Sequence, residues 1–174
     1  MTGLVSILTL ERTRVSTLYI DGAEVGTCDS LCSSHRYDIS SYMTAGTHEI
    51  VIRVANVGYK TGGGHMTSPD TQTNWLGIVG KMNIEIYPKS YISDVRVIAS
   101  ADGSLSVRGL VNGADNAVVT ATVTAPGGIR VLKANIISDG DTFEAEFRLE
   151  NAQLWDEFER NIYSLELRCG EDIF

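Results

Sequence analysis

Cysteine is scarce in this sequence, which has only Cys28, Cys32 and Cys169 among its 174 residues. Three cysteines are too few for a disulfide scaffold, and an odd number leaves one thiol without a partner inside the chain. The fold must therefore be held by an apolar core, for which an apolar fraction of 43% is sufficient. Cysteine usage leaves the cellular compartment open.

Basic residues are also in short supply, with 14 Lys and Arg against 22 Asp and Glu and a formal net charge of −8. Proteins that bind nucleic acid usually present a cluster of basic side chains to the phosphate backbone. The sequence contains no such cluster. Its charge therefore argues against nucleic acid as a partner.

Long hydrophobic runs are missing as well. No stretch reaches the roughly 18 apolar residues that a membrane-spanning helix needs. The first residues lack the charged and apolar regions of a signal peptide. The sequence predicts no membrane span, and it leaves the localisation of the protein unknown.

The pattern that is present is the alternation of β-strands. In the first half, Asp21-Gly22 is a strong signal for a two-residue hairpin turn, because both positions tolerate positive φ. Ile50, Ile52 and Val54 lie on one face of their segment, as in a strand with one face in a core. The strands predicted here cover residues 4–11, 15–20, 23–27, 48–56 and 81–86.

The second half reads as a meander of strands. Pro88-Lys89-Ser90 is a short linker, because proline removes a ladder donor, and a domain boundary is expected there. Short turns containing glycine separate the strands, a pattern typical of an immunoglobulin-like sandwich. Helical character is confined to residues 152–160, and Trp155 and Tyr163 are expected to fill the core. The predicted strands are 92–100, 104–111, 117–124, 129–136, 142–149 and 162–168.

A polar, glycine-rich segment from Val57 to Asn74 joins two of the predicted strands. Loops of more than about 12 to 15 residues without regular structure are uncommon in compact domains, and they are usually functional or disordered. Its polar side chains could also satisfy their own backbone in a simple crossover between sheets. Both interpretations of the segment stay open on spacing alone.

Pairs of carboxylates are the first candidates for catalysis, because one can act as a general acid while the other acts as a base or nucleophile. Asp139 and Asp141 flank a glycine and are predicted to form a turn, since no further oxygen ligands follow at EF-hand spacing. Glu144, Glu146 and Glu150 fall on the exposed face of a predicted strand. We therefore assign no catalytic residue to this chain.

Metal and nucleophile sites are predicted to be absent too. His35, His48 and His65 lack the spacing of a helical metal pair, and the cysteines lack a matching second cluster. Ser68, His65 and Asp70 could form a Ser-His-Asp arrangement, but no glycine-flanked nucleophile elbow surrounds the serine. The sequence predicts no metal site and no cofactor.

Four stretches carry a family resemblance: RVSTLYIDGAEVG, RYDISSYMTAGTHEIVIRVAN, GHMTSPDTQTNWLGIVGKMNIE and LWDEFERNIYSLEL. Together they resemble the non-catalytic N-terminal part of glycoside hydrolase family 2, the group of β-galactosidases, β-glucuronidases and β-mannosidases. In that family the segment matching Trp75 to Ile78 enters the last strand of a jelly-roll domain. One departure is Glu159-Arg160, which replaces a proline that often precedes the pair matched by Ile162-Tyr163.

The resemblance implies an all-β chain with two domains. Residues 1–88 would form a galactose-binding-like jelly-roll sandwich that lacks its first strands, and residues 89–174 an immunoglobulin-like β-sandwich. The family places both catalytic glutamates on a (β/α)8 barrel, which would follow in the same polypeptide. The chain alone would then be inactive. Its parent would be a β-galactosidase-like glycosidase that acts on carbohydrate, and a periplasmic or secreted location is open to the parent.

The resemblance also implies a role for residues 62–75 at the rim of the barrel's active site. The side chains suited to sugar hydroxyls are those of His65, Asp70, Gln72 and Asn74. Trp75 would either stack on a sugar or anchor the loop in the core, and the second is the expected role for a buried indole.

Two other functions remain open: a free-standing carbohydrate-binding or adhesion module, since jelly rolls also serve lectins, and a spacer that binds no sugar.

If leading strands are missing, residues 4–11 or a neighbouring strand would present an unpaired edge. Such an edge tends to recruit another chain, so a homo-oligomer is expected.

Overall fold

The computed structural model describes residues 4–56, 68 and 76–174. The all-β class predicted from the sequence is confirmed, and the described residues contain no helix, hence none that could cross a membrane. The strands are β1 Leu4–Arg12, β2 Val15–Ile20, β3 Ala23–Cys28, β4 His35–Asp38, β5 Ile50–Ala55, β6 Val79–Pro88, β7 Tyr91–Ala99, β8 Ser104–Asn112, β9 Val118–Thr124, β10 Arg130–Ile137, β11 Thr142–Arg148, β12 Ser164–Cys169 and β13 Asp172–Ile173.

The chain divides into two compact units, Met1–Ile86 and Tyr87–Phe174. We call them unit 1 and unit 2. Each has its own cluster of buried apolar side chains. Each unit is therefore described separately.

The described strands of unit 1 form two three-stranded sheets, in the orders β4-β1-β6 and β3-β2-β5. Asp21 and Gly22 close the β2–β3 hairpin with φ angles of 50° and 80°, so the predicted turn is confirmed. Strands from both sheets contribute to one core, as in a sandwich. Its buried members are Leu8, Leu10, Leu18, Ile20, Tyr37 and Ile39.

Of the two places expected for an unpaired edge, residues 4–11 or a neighbouring strand, the structure excludes the first. Strand β1 lies between β4 and β6. Both of its faces are covered, because Leu8 and Leu10 enter the core while Ile7 and Thr9 on the opposite face are also buried. Among the described strands, the edges of this sheet are the neighbours β4 and β6.

Unit 2 is a second sandwich, with sheets in the orders β10-β9-β12-β13 and β11-β8-β7. Its six longer strands follow those predicted from the sequence within one or two residues. The largest fully buried side chain is Phe143 on β11. It packs with apolar residues of both sheets, among them Val107, Val111, Val119, Val123, Ile136 and Leu167.

Residues 152–160, whose helical character is too short to stand alone, form no helix. The Asp156 carboxylate accepts the N–H groups of Phe158 and Glu159 at 2.8 and 2.6 Å, so it closes a local turn that competes with a helix. Trp155 is 62% exposed, and the prediction that it fills the core is wrong. Tyr163 does pack against the core of unit 2, as predicted.

Gly109 offers a test of this core. A Cβ atom at that position would lie 2.7 Å from Cζ of Phe143 and 3.1 Å from the Ser93 carbonyl oxygen. We expect Gly109→Ala to destabilise the chain by about 1–3 kcal/mol, because the buried ring cannot move aside without strain. Thermal unfolding followed by circular dichroism measures the effect.

Gly26→Ala is the matched control, because Gly26 is also a strand glycine and its added Cβ would only touch the Tyr37 ring at 3.9 Å. Its cost should stay within about 0.5 kcal/mol. Equal melting temperatures for the two variants would contradict the close packing of Phe143 on β8.

Candidate functional site

The described residues that flank the long polar segment lie at one corner of unit 1. Before the segment, Ala55 pairs with Val15 at the start of β2. After it, the Gly77 carbonyl oxygen accepts a hydrogen bond from Thr13 Oγ1 at 3.1 Å. Residues 13 and 14 connect β1 to β2, which belong to different sheets. We call this connection the corner.

The corner contains a buried charge. Arg14 is only 3% exposed and Thr13 only 1%. A guanidinium stays protonated in proteins, and a buried charge must be paired and hydrogen-bonded to be tolerated. The corner is therefore a charged, enclosed environment.

Sequence reasoning missed Arg14. Arg12, two residues earlier, ends an exposed stretch of β1, and nothing in the spacing of the two arginines distinguishes them. Only the change of sheet between β1 and β2 encloses the second one. Burial of this kind follows from topology, which the local sequence does not reveal.

The residues predicted to contact sugar belong to the polar segment between Ala55 and Gly77. His65, Asp70, Gln72, Asn74 and Trp75 lie outside the described residues, as do two members of the Ser68-His65-Asp70 arrangement. Their role at a sugar site stays a prediction.

A buried serine–histidine pair lies next to the corner. Ser16 Oγ is 2.6 Å from His35 Nδ1 and 2.6 Å from the Tyr37 hydroxyl, and burial raises the pKa of that hydroxyl. His35 Nε2 lies 2.7 Å from the carbonyl oxygen of Ser30 and donates to it. Ser16 and His35 have no solvent exposure, so a substrate could not reach them. The pair resembles a nucleophile and its base, but its role is structural.

A second polar pair lies at the other end of β2. The Asp21 carboxylate is 2.6 Å from His48 Nδ1 and accepts the Glu49 N–H at 2.9 Å. Hydrogen bonding to His48 lowers the pKa of Asp21, and hydrogen bonding to Asp21 raises the pKa of His48, with a smaller contribution from the Thr44 carbonyl. The pair joins the β2–β3 hairpin to the residues that lead into β5.

Unit 2 contains an apolar cavity of about 410 Å³. Val97 and Leu105 of one sheet, Val123 and Leu165 of the other, and the segment before β12 with Trp155 line it. Its described lining is mainly apolar and includes no Asp, Glu or His, although Asn161 and Tyr163 add polar groups. Its volume lies within the range of small-ligand pockets.

The carboxylates of unit 2 take the positions predicted for them. Asp139 and Thr142 exchange backbone hydrogen bonds of 2.7 and 3.1 Å across a turn. Glu144 and Glu146 are exposed on β11, on the face opposite Phe143. Among the described residues, no three His, Cys, Asp or Glu side chains come together as a metal site.

Solved structures of other proteins share this fold, although no sequence match accompanies it. No protein-family model matches the chain, and no curated protein matches it in sequence. An FMN-binding β-glucuronidase from Faecalibacterium prausnitzii L2-6 matches 99% of the chain with a TM-score of 0.74 and 21% identity. A β-glucuronidase from Bifidobacterium dentium, solved with coumarin-3-O-glucuronide, matches 99% with a TM-score of 0.75 and 17% identity.

A glycosyl hydrolase family 2 member from Bacteroides cellulosilyticus also matches 99% of the chain, with a TM-score of 0.69 and 14% identity. The chain has the fold of one part of these glycosidases. It spans 29%, 36% and 26% of the three matched chains respectively, or about a third of their length. The resemblance to family 2 glycoside hydrolases is confirmed at the level of the fold.

The Asp21–His48 pair predicts a pH dependence. His48 has a raised pKa, so its contribution to stability is complete below the usual value of 6.5 and is lost as pH rises through the folded value. Asp21 has a lowered pKa, so its contribution is present above 3.8 and is lost as pH falls through the folded value. The pair should stabilise unit 1 most between these two usual values.

NMR titration of the His48 ring measures this directly. We expect its midpoint to lie above 6.5 in the wild-type chain and to fall toward 6.5 in Asp21→Asn. Asp38→Asn is the control, because the Asp38 carboxylate bonds only to Ser40 among the contacts described. An Asp21→Asn midpoint equal to the wild-type value would show that the carboxylate does not set the His48 pKa.

Proposed function

We propose that this chain is a non-catalytic part of a family 2 glycoside hydrolase, an enzyme that hydrolyses O-glycosidic bonds. The observation that carries the proposal is the match of 99% of the chain to glycosidases of which it covers about a third. The remainder of such an enzyme would supply the (β/α)8 barrel and its two catalytic glutamates. The described carboxylates of unit 2 lie in turns or on the surface, which is compatible with catalytic residues in another part of the enzyme.

The matched enzymes support one substrate class for the parent. Two of the three structures described above are β-glucuronidases, and one of them holds an aryl glucuronide. We therefore place β-glucuronides ahead of the β-galactosides that the sequence resemblance had suggested. A panel of nitrophenyl glucuronide, galactoside and mannoside decides between them in the full-length polypeptide.

In this enzyme, residues 62–75 lie at the rim of the active site. The proposal is supported by the corner, where the flanking residues Ala55 and Gly77 contact the connection that contains the buried Arg14. A loop held at both ends by one buried connection can present polar side chains in a fixed direction, which sugar recognition needs. His65, Asp70, Gln72 and Asn74 would contact hydroxyl groups, and Trp75 would anchor the loop.

Alanine substitutions in the full-length polypeptide test this role. We expect Asp70→Ala or Asn74→Ala to raise KM or lower kcat/KM without lowering the melting temperature, because they remove contacts to substrate only. Trp75→Ala should destabilise the protein by a few kcal/mol, as expected for the loss of a buried aromatic side chain. Steady-state kinetics and thermal unfolding are measured on the same preparations.

Thr71→Ala and Thr73→Ala are the matched controls, because they remove small polar side chains from the same segment. Residues 1–174 alone should hydrolyse none of the three glycosides. If Asp70→Ala and Asn74→Ala behave like the threonine variants, the segment does not contribute to the rim. Turnover by residues 1–174 that a single Asp or Glu substitution abolishes would show a catalytic site in this chain.

A further inference from the structure

Four aspartate or asparagine residues in this chain are followed directly by glycine. These dipeptides begin at Asp21, Asp102, Asn112 and Asp139. Glycine has no side chain to shield its own nitrogen, so this nitrogen can attack the side-chain carbonyl carbon of the residue before it. The product is a five-membered succinimide ring. The fold decides which of the four dipeptides can react in this way.

The carboxylates of Asp21 and Asp102 are both held by hydrogen bonds. Asp21 is held by the bonds described above, which lower its pKa. Asp102 Oδ1 accepts the Ser104 N–H at 3.0 Å and the Ser104 hydroxyl at 2.5 Å, and these bonds lower the pKa of Asp102. The Gly103 N–H is also engaged, since it donates to the Ser100 carbonyl oxygen at 3.0 Å. Both carboxylates stay ionised, whereas the attack requires the protonated acid.

The side chain of Asn112 is restrained by a different contact. Its amide nitrogen donates a hydrogen bond to Ser93 Oγ at 2.8 Å, and the residue is half-buried. The backbone carbonyl of Lys89 lies against Gly113, where an added Cβ atom would collide with it. At neutral pH an amide reacts more readily than a carboxylate, because it needs no prior protonation. The fold therefore protects the dipeptide that would react first in an unfolded chain.

The side chain of Asp139, in the turn between β10 and β11, is free of such restraints. It is exposed, and neither its carboxylate nor the Gly140 N–H forms a hydrogen bond to any residue that the structure describes. The turn is closed by main-chain bonds between Asp139 and Thr142 instead. Apart from its neighbours in the chain, no described atom lies within 4 Å of the place that a Cβ on Gly140 would take. The attacking nitrogen therefore has space around it.

We propose that Asp139 is a site of spontaneous modification, at which the folded chain isomerises to isoaspartate. The Gly140 nitrogen forms a bond to Cγ of the protonated side chain, the Cγ–OH bond breaks, and the proton of the nitrogen leaves with that hydroxyl group as water. Water then adds to the main-chain carbonyl carbon of Asp139 and breaks its bond to the Gly140 nitrogen. The backbone now runs through Cγ. One water is released and one is taken up, so no co-reactant is consumed.

The modification would reach the packing of unit 2 through Gly140. The Gly140 carbonyl oxygen accepts the Asn116 N–H at 3.1 Å and the Ser138 hydroxyl at 2.9 Å. Ser138 is only 2% exposed, and its hydroxyl oxygen accepts the Ala117 N–H at 2.7 Å. An extra main-chain carbon before Gly140 displaces this carbonyl, so a buried hydroxyl loses its acceptor. Isomerisation should therefore lower the stability of unit 2.

Ageing of the folded chain at mildly acidic pH, where a free carboxyl group is partly protonated, tests the assignment. The probe is an isoaspartate methyltransferase with radiolabelled S-adenosylmethionine, and peptide mapping locates the label. We expect label on the peptide that contains Asp139 and none on those that contain Asp21 or Asp102. Asp139→Glu is the control, because it keeps the charge but would have to close a six-membered ring. It should lose the label while its circular dichroism stays unchanged.

Asp139→Asn gives an independent test, because it places two asparagine–glycine dipeptides in one chain. The same attack now releases ammonia and leaves an acid, so peptide mass spectrometry follows both sites without an enzyme. In the folded chain the new asparagine should deamidate about tenfold faster than Asn112, which must first lose its hydrogen bond to Ser93. In urea the two sites should react at similar rates, because neither side chain is then held.

Three results would overturn the proposal. The first is an aged chain without label, or label that persists in Asp139→Glu or maps to another dipeptide. The second is a folded Asp139→Asn chain in which Asn112 deamidates as fast as the new asparagine, since the fold would then not select the site. The third is an aged, labelled chain that melts at the same temperature as the fresh chain, which would contradict the coupling through Gly140.

Discussion

The hydroxyl group of Ser16 holds unit 1 together at one point that the rest of the sandwich depends on. It lies in β2, and it bonds to His35 and Tyr37, which lie in β4 of the opposite sheet. All three side chains are buried, so each unmade bond would leave a desolvated polar group at a cost of about 1–3 kcal/mol. Apolar packing alone tolerates sliding of the sheets, whereas these bonds fix one alignment.

That alignment determines where the surface features lie. Because His35 and Tyr37 face inward, Arg36 between them faces outward and reaches Glu85 across β1. The same alignment fixes the start of β2, and with it the corner that the residues flanking the polar segment contact. The Arg36–Glu85 ion pair and this corner are thus two consequences of one buried arrangement.

Local features of this fold could be predicted from the sequence, and features that arise through space could not. Alternation predicted the strands of unit 2, and Asp21-Gly22 predicted the hairpin, because each depends on neighbouring residues. The Ser16–His35 bond joins residues 19 apart in different sheets, and the burial of Arg14 follows from a change of sheet. Trp155 was expected in the core, yet it is 62% exposed and lies next to the turn that the Asp156 carboxylate closes. The residues of the proposed rim remain predictions.

The central claim is that this chain works as part of a larger glycosidase, and the coding sequence after the codon for Phe174 tests it most directly. The account predicts roughly 250 further residues in which strands and helices alternate, as a (β/α)8 barrel requires. Two glutamates should follow the carboxyl ends of barrel strands. A stop codon directly after Phe174, or a continuation without this alternation, would contradict the account.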